Sequence, residues 1–216
     1  MLTQRKTADR ANKRAYEFAK RVFDVVNSLL ALVLLCVPFL VICVLIRLSD
    51  GGSAFYVAQR VGKNGIPFGM YKFRTMVMHA DSLRDMLTPA EYAEYKKEYK
   101  LQNDPRVTKI GRLLRKSSID EFPQLINVIK GDMHFVGPRP LVEEETYLYG
   151  ENREKLLSVK PGLTGYWQAY ARNAVGYGNG KRQEMELFYV ENRSFWMDIK
   201  IILATVVRVL RGEGAS

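Results

Sequence analysis

The sequence predicts a mostly helical α/β protein, in which a re-entrant membrane helix precedes a small membrane-associated domain. Three observations predict this class: an uncharged run of 22 residues near the N-terminus, two β-like runs around a Gly-rich turn, and amphipathic helical segments. The 216 residues are enough for one globular core. We expect a basic segment over residues 1–19, the membrane helix over 20–48, and a domain over 49–216 that contains a short β-hairpin and interfacial helices.

The membrane segment is the uncharged run Val25–Ile46. Pro38 divides it into pieces of 13 and 9 residues. At 1.5 Å per residue these extend roughly 20 and 14 Å, each short of a bilayer core of about 30 Å. Both flanks are basic, with seven Lys/Arg against three Asp/Glu before Val25, and positive flanks favour the cytoplasmic side. We therefore predict a re-entrant helix broken at Pro38, with a kinked spanning helix as the alternative.

The charge and the metal-ligating residues limit the function classes. The formal net charge is +10, which favours nucleic acid, anionic lipid or a phosphorylated substrate without choosing among them. Both cysteines, Cys36 and Cys43, lie in the apolar run, and the only histidines are His79 and His134. This composition excludes a Cys/His zinc site. Any catalytic metal would need oxygen ligands, which indicates Mg²⁺ or Mn²⁺.

The first predicted element of the domain is a β-hairpin. Two β-like runs, Ala54–Gln59 and Phe68–Arg74, flank the turn sequence Gly-Lys-Asn-Gly at residues 62–65. Lys72 and Arg74 are two residues apart, so the pattern places them on the same side of the second strand. Such a pair is either a basic binding face or a solvated strand face.

Three helical segments follow the hairpin. Asp81–Gln102 is polar and helix-prone, and residues 109–116 form an amphipathic helix with a basic face. Phe195–Leu210 is apolar but contains charged residues, which makes it a poor spanning helix. A helix in the membrane interface, with Trp196 at the headgroup level, fits this composition, and a buried core helix is the alternative.

The stretch Asp104–Pro140 contains the residues most typical of a reactive site. Asp120 and Glu121 are adjacent carboxylates that follow the basic helix, and Gly-Pro-Arg-Pro at residues 137–140 presents one arginine. Paired carboxylates among arginines suit a metal-bound phosphate. The structural alternative is a capping box, with Ser118 as N-cap and Glu121 at position N3.

These motifs resemble the monotopic polyprenol-phosphate phosphoglycosyl transferases of the bacterial sugar transferase family. The resemblance runs from about Lys20 to about Arg211, and its motifs occur in the family's order: Tyr71–Met76, Ser118–Gln124, Asn127, Gly131–Met133, Gly137–Pro140 and Pro161–Gly165. It implies a re-entrant helix and an α/β domain on the cytoplasmic face of the bacterial inner membrane. The implied activity is transfer of a sugar-1-phosphate from a UDP-sugar to undecaprenyl phosphate with release of UMP, the first membrane step of surface glycan assembly.

The resemblance also implies roles for individual residues. Asp120 would be the nucleophile that forms an aspartyl-phosphosugar intermediate. Glu121, together with Asp120, would hold Mg²⁺ or Mn²⁺, and Asp132 is a weaker candidate for the metal shell. The residues implied in substrate binding are basic: Lys72, Arg74, Arg115, Arg139 and Arg172.

The chain departs from the family pattern at Val37, where serine is usual, and at Tyr166-Trp167-Gln168, which replaces Trp-Ala-Gln. The polar helix and Asp104-Pro105-Arg106 resemble the branch that transfers simple hexose phosphates, glucose or galactose. The implied partners are the UDP-sugar, undecaprenyl phosphate and membrane lipids, without nucleic acid. The sequence leaves the sugar, the pathway and the oligomeric state open, a homodimer included. The alternative function is a membrane-tethered basic binding protein without catalytic activity, which would not need Asp120.

Overall fold

The computed structural model describes residues 2–80, 82, 86–98, 101, 104–172 and 174–211, and for residues 2–13 and 96–98 only the backbone is described. The helices, in chain order, are α1 Leu2–Asp50, α2 Pro89–Glu98, α3 Lys109–Lys116, α4 Gln124–Lys130, α5 Glu143–Thr146, α6 Arg153–Leu157, α7 Tyr166–Tyr170, α8 Lys181–Asn192 and α9 Phe195–Leu210. The strands are β1 Phe55–Val61, β2 Pro67–Phe73, β3 His134–Val136 and β4 Gly162–Thr164. Short 3-10 helices occupy Lys63–Gly65, Ile119–Glu121 and Tyr147–Asn152.

The predicted hairpin is confirmed, and a second small sheet accompanies it. Strands β1 and β2 are antiparallel, with Val57 opposite Tyr71. Their turn contains Asn64 and Gly65, both in the left-handed region with φ of 59° and 78°, which Asn and Gly adopt most readily. Strands β3 and β4 pair in parallel. The fold is therefore mostly helical with two small two-stranded sheets.

Pro38, where we predict the break of the membrane helix, lies inside one continuous helical element. Helix α1 begins at Leu2 and continues as an α-helix through Pro38 to Asp50. An interior proline removes one N–H and tends to kink a helix, but the flanking residues keep their own helical hydrogen bonds. Membrane topology is a separate property, which depends on where the two ends of the apolar segment lie.

The N-terminal end of the apolar segment is attached to the domain by buried polar contacts. The Lys20 ammonium lies 2.5 Å from the Asp198 carboxylate, which also accepts a hydrogen bond from the Tyr189 hydroxyl at 2.7 Å. Asp24 lies 2.5 Å from Nδ1 of His134. These groups are buried, and a buried polar group without a hydrogen-bond partner costs free energy, so each contact holds α1 to the domain.

The C-terminal end of the same segment also contacts the domain. The ring of Phe39 lies 5.0 Å from the ring of Phe73 in β2, and Ile46 is buried in the same cluster. Just beyond, the Arg74 guanidinium makes a two-pronged contact with the Asp50 carboxylate at 2.5 and 2.6 Å. Both ends of the apolar segment therefore dock on one domain.

Two surfaces of the chain expose large apolar side chains. Residues 14–50 of α1 are long and apolar enough to cross a membrane by length and composition, and the middle of this helix exposes Leu29, Leu30, Val33, Leu34 and Val37. Helix α9 buries Asp198 and Ile201 while it exposes Trp196, Leu203 and Leu210. Exposed apolar faces of this kind mark membrane or protein contacts. The chain is thus built for association with a membrane.

The predicted helix Asp81–Gln102 is shorter in the structure. Helix α2 covers Pro89–Glu98, while residues 81, 83–85, 99–100 and 102–103 lie outside the described residues. A capping box sets its start: the Thr88 amide donates to the Glu91 carboxylate at 2.8 Å, and the Glu91 amide donates to the Thr88 hydroxyl at 3.3 Å. Pro89 at the first helical position favours the same boundary.

We expect Lys20→Ala to lower the free energy of unfolding by about 3–5 kcal/mol, because it leaves the Asp198 carboxylate buried without its cation. Denaturant unfolding in detergent micelles measures this change.

The matched control is Lys155→Ala, which removes the cation of the exposed pair Lys155–Glu191 and should change the stability by less than about 1 kcal/mol. Equal effects of the two substitutions would show that the Lys20 contact does not hold α1 to the domain.

Candidate active site

Asp120 and Glu121 lie in the 3-10 helix that connects α3 to α4. The preceding Ser118 adopts a left-handed conformation with φ of 56°, and its side chain makes no capping hydrogen bond. The capping-box interpretation of Glu121 is therefore wrong, because the Ser118 backbone does not have the extended conformation of an N-cap. Glu121 instead accepts a hydrogen bond from the Lys72 ammonium at 3.2 Å.

Glu121 is held in its ionised form. Burial alone would raise the pKa of Glu121, but the charges of Lys72, Arg172 and Arg139 outweigh it and lower the pKa to about 2. Opposite charges at short range favour the charged form of a carboxyl group. Glu121 is therefore an anion at any physiological pH.

Asp120 has the opposite electrostatic environment. Only 9% of this residue is exposed, and burial together with the neighbouring Glu121 anion raises its pKa despite the opposing charges of Lys72, Arg115 and Arg172. A carboxylate with a raised pKa is more basic and less solvated, both of which favour attack on an electrophile. The adjacent acids thus differ in chemical character.

Asn127 holds the strand that carries Lys72 against the helix that follows the carboxylates. Its side-chain carbonyl accepts a hydrogen bond from the Tyr71 amide at 2.9 Å, and its amide group donates to the Gly69 carbonyl at 2.8 Å. Because Asn127 is fully buried, both bonds are protected from water. They position β2 so that Lys72 reaches Glu121.

Three arginines from separate elements complete the cationic surroundings. Arg115, in the last turn of α3, donates from Nε to the Thr75 hydroxyl at 3.0 Å and acts on Asp120. Arg139 comes from the Gly-Pro-Arg-Pro loop and acts on Glu121, and Arg172, after α7, acts on both carboxylates. Four predicted binding residues are therefore brought together at the predicted carboxylates.

Two other candidates lie elsewhere. Arg74 follows the end of β2 and is engaged by Asp50, so the structure does not bring it to the carboxylates. Asp132 accepts a hydrogen bond from the Asn127 amide at 3.1 Å and lies 3.8 Å from the Lys130 ammonium. We therefore assign Arg74 to the attachment of α1, and Asp132 to the support of α4.

The carboxylates fit a magnesium ion that shares its coordination with a substrate. Within the described ranges, no group of three or more His, Cys, Asp or Glu side chains could enclose a metal. Mg²⁺ is usually held by one or two carboxylates together with phosphate oxygens and water. Asp120 and the ionised Glu121 would supply two such oxygen ligands.

Sequence reasoning missed one buried residue near the site. Glu186 in α8 is only 1% exposed, and its carboxylate accepts the backbone N–H of Arg139. The available signal was its spacing, since Arg182, Glu186 and Val190 recur every four residues along one helical face. Arg182 and Glu186 lie one turn apart on the face that also carries Val190, and all three residues are buried.

Comparison with known proteins decides the family. Residues 15–212 match the model of the family described as bacterial sugar transferase. The chain belongs to this family. The family predicted from the ordered motifs is therefore confirmed, and the chain is an enzyme of the transferase class.

Relatives of this family member include an undecaprenyl-phosphate galactose phosphotransferase of Salmonella typhimurium, which is 45% identical over 94% of this chain and 43% of its own length. The exopolysaccharide production protein ExoY of Rhizobium meliloti is 44% identical over 91% of this chain and 88% of its own length. A UDP-N-acetylgalactosamine-undecaprenyl-phosphate N-acetylgalactosaminephosphotransferase of Aeromonas hydrophila is 34% identical over 93% of this chain and 45% of its own length. The chain thus spans less than half of two of these relatives and most of ExoY.

We expect Asp120→Asn and Glu121→Gln to shift stability in opposite directions at pH 7. The ionised Glu121 stabilises the fold above its ordinary pKa, and this contribution is lost as the pH falls from about 4.5 toward 2. Glu121→Gln should therefore lower the unfolding free energy by about 3 kcal/mol, or the Tm by roughly 5–10 °C. Asp120→Asn removes a charge that burial disfavours and should raise the Tm.

Thermal unfolding of both variants without substrate measures these shifts. A lower Tm for Asp120→Asn at pH 7 would contradict the assigned environment of Asp120. The Asp120→Asn difference should shrink at low pH, where the native carboxyl is already protonated.

Proposed function

We propose that this enzyme transfers a sugar-1-phosphate from a UDP-sugar to undecaprenyl phosphate and releases UMP, through a covalent intermediate on Asp120. The observation that carries the proposal is a buried carboxylate of raised pKa beside an ionised one, with four cations at the same site. The names of the Salmonella and Aeromonas relatives describe transfer to undecaprenyl phosphate, which supports the lipid acceptor.

In the first step, a carboxylate oxygen of Asp120 attacks the phosphorus that bears the sugar. A bond forms between this oxygen and phosphorus, and the bond to the bridging oxygen breaks, with its electron pair leaving on UMP. Lys72, Arg115 and Arg172 offset the repulsion between the anionic nucleophile and the diphosphate. The charge of Arg139 also acts on Glu121, and a planar guanidinium can bind phosphate oxygens in pairs.

Glu121 and Asp120 are the residues that would hold Mg²⁺. When bound, the ion supplies positive charge to the diphosphate and stabilises the charge that develops on UMP. Because Lys72 and the arginines keep Glu121 ionised, this residue has a ligand oxygen ready at neutral pH without losing a proton first.

In the second step, a phosphate oxygen of the lipid attacks the same phosphorus. The bond between phosphorus and Asp120 breaks, the carboxylate is regenerated, and the product is the lipid-linked sugar diphosphate. Two displacements replace one difficult transfer.

The contacts of α1 support a re-entrant position on the cytoplasmic face of the bacterial inner membrane. A straight helix over Val25–Ile46 would extend about 33 Å, enough to place its two ends on opposite membrane faces. Yet Asp24 before this segment and Ile46 at its end both contact the domain. These contacts are satisfied when both ends of the apolar segment lie on the same face of the membrane. The basic flanks favour the cytoplasmic face.

The sugar is proposed to be a simple hexose, with galactose as the first donor to test and glucose as the second. Relatives whose names specify galactose are 40–45% identical to this chain, whereas a relative named for N-acetylgalactosamine is 34% identical. The context is exopolysaccharide or other surface glycan synthesis, as for the ExoY relatives.

We expect Asp120→Asn to reduce UMP release by at least about a thousandfold, because an amide cannot act as the nucleophile. The assay uses the detergent-solubilised enzyme with Mg²⁺, undecaprenyl phosphate and a panel of UDP-sugars. Wild-type protein given radiolabelled donor without lipid should retain label covalently, and the variant should not.

The matched control is Glu184→Gln on the exposed face of α8, which should keep UMP release within about twofold of wild type, as expected for a surface change remote from the site. Wild-type activity in Asp120→Asn would refute the covalent mechanism and favour a binding role.

The pH dependence should show one acid limb. Because Asp120 must be ionised to attack, kcat/KM should fall tenfold per pH unit below its raised pKa. Glu121, with a pKa of about 2, stays ionised and adds no second limb near neutrality. Initial rates of UMP release from pH 4.5 to 8 test this, and a two-proton slope would contradict it.

A further inference from the structure

The Gly-Pro-Arg-Pro loop rests on the buried carboxylate of Glu186. The backbone N–H of Arg139 donates to both oxygens of this carboxylate at 3.3 Å. Arg139 is flanked by Pro138 and Pro140, which have no N–H groups. The N–H of Arg139 is therefore the one amide donor of these three positions, and Glu186 is its acceptor.

A fixed cation accompanies Glu186 on the same helix. The Arg182 guanidinium lies between two aromatic rings, 4.1 Å from the centroid of Trp167 and 3.8 Å from that of Tyr177. Arg182 is only 6% exposed, and its Nε and Nη2 atoms lack hydrogen-bond partners within the described residues. The two rings pack against this buried charge, and the charge of Arg182 acts on the Glu186 carboxylate.

The backbone of the Gly-Pro-Arg-Pro loop is restrained on both sides of Arg139. Pro138 and Pro140 are buried and have restricted φ angles, and the Pro138 carbonyl accepts the Gly162 N–H at 2.8 Å. With its backbone held on both sides, the Arg139 side chain starts from a fixed position in the loop. The charge of this side chain acts on Glu121, whose pKa it lowers.

We propose that Glu186 is a positioning residue: by accepting the backbone N–H of Arg139, it holds that guanidinium beside Glu121, ready for a phosphate oxygen of the donor. The inference rests on the proposed function, because it assigns Arg139 to the donor diphosphate. What matters is the hydrogen bond itself, which requires the full length of the Glu186 side chain. Arg182 is the neighbouring charge.

The contact does not depend on the charge of Glu186. Burial raises the pKa of Glu186 to about 7, against the opposing charges of Arg182 and Arg139, and Tyr149 is the further titratable group that faces it. A protonated carboxyl group keeps a carbonyl oxygen that accepts a hydrogen bond. A glutamine amide at this position should therefore still accept the Arg139 N–H, whereas the shorter carboxylate of aspartate should not.

Two conservative variants distinguish the side-chain length of Glu186 from its charge. Glu186→Gln keeps the length and an acceptor oxygen but removes the charge, whereas Glu186→Asp keeps the charge and shortens the side chain by one methylene. We expect Glu186→Asp to raise the KM for the UDP-sugar about tenfold, the size of one net hydrogen bond. Its kcat should change by less than about threefold, and Glu186→Gln should keep both constants within about threefold of wild type.

Glu184→Asp, the same change on the exposed face of α8, is the matched control and should leave KM unchanged. A double-mutant cycle with Arg139→Ala adds a test that general destabilisation would not satisfy. If Glu186 acts through Arg139, Glu186→Asp should have little further effect on KM once the guanidinium is gone. Additive effects, or a raised KM in Glu186→Gln with a normal KM in Glu186→Asp, would overturn the inference.

Binding of UDP, measured by calorimetry, gives the same comparison without turnover. Glu186→Asp should weaken UDP binding about tenfold, and Glu186→Gln should not. Equal UDP affinities in wild type and Glu186→Asp would also overturn the inference. Absence of UMP release from every protein, wild type included, would count against the proposed function, while the UDP comparison would still decide the role of Glu186.

Discussion

The contact between Lys72 and Glu121 is the interaction on which the rest of the site depends. Two adjacent carboxylates would repel each other in a buried site. The cations fall unequally on them: Lys72 hydrogen-bonds Glu121 directly, and the net effect lowers the pKa of Glu121 while that of Asp120 is raised. Glu121 is therefore held as an anion, whereas Asp120 is the more basic of the two carboxylates.

Membrane attachment and site geometry share the same strand. Phe73 of β2 packs against Phe39 of α1, and the next residue, Arg74, is fixed by Asp50 at the end of α1. Lys72 immediately precedes this anchored pair, and Asn127 holds the strand from the other side. The apolar helix α1 therefore also helps to set the position of the cation that keeps Glu121 ionised.

Local sequence patterns predicted the elements whose determinants are local. The Gly-Lys-Asn-Gly turn and its flanking β-like runs predicted the hairpin, and the ordered motifs predicted the family together with the carboxylate pair. Alternation placed Lys72 and Arg74 on one side, but β2 ends at Phe73, so the rule no longer applied to Arg74. The acceptor role of Glu186 was not predictable, because it depends on a loop nearly fifty residues away in sequence folding over α8.

The difference in pKa between the two carboxylates also suits an enzyme whose two substrates come from water and from the membrane. On the proposed mechanism, the nucleotide sugar arrives from water and the acceptor lies in the membrane. A phosphosugar held on Asp120 lets the two anionic substrates use one small cationic site in turn, so their charges need not be accommodated together. Glu121 keeps its charge in both steps because Lys72, Arg139 and Arg172 act on it whichever substrate is present. The one group that changes its bonding is then Asp120, whose burial makes its free carboxylate the less stable state and therefore the more reactive one.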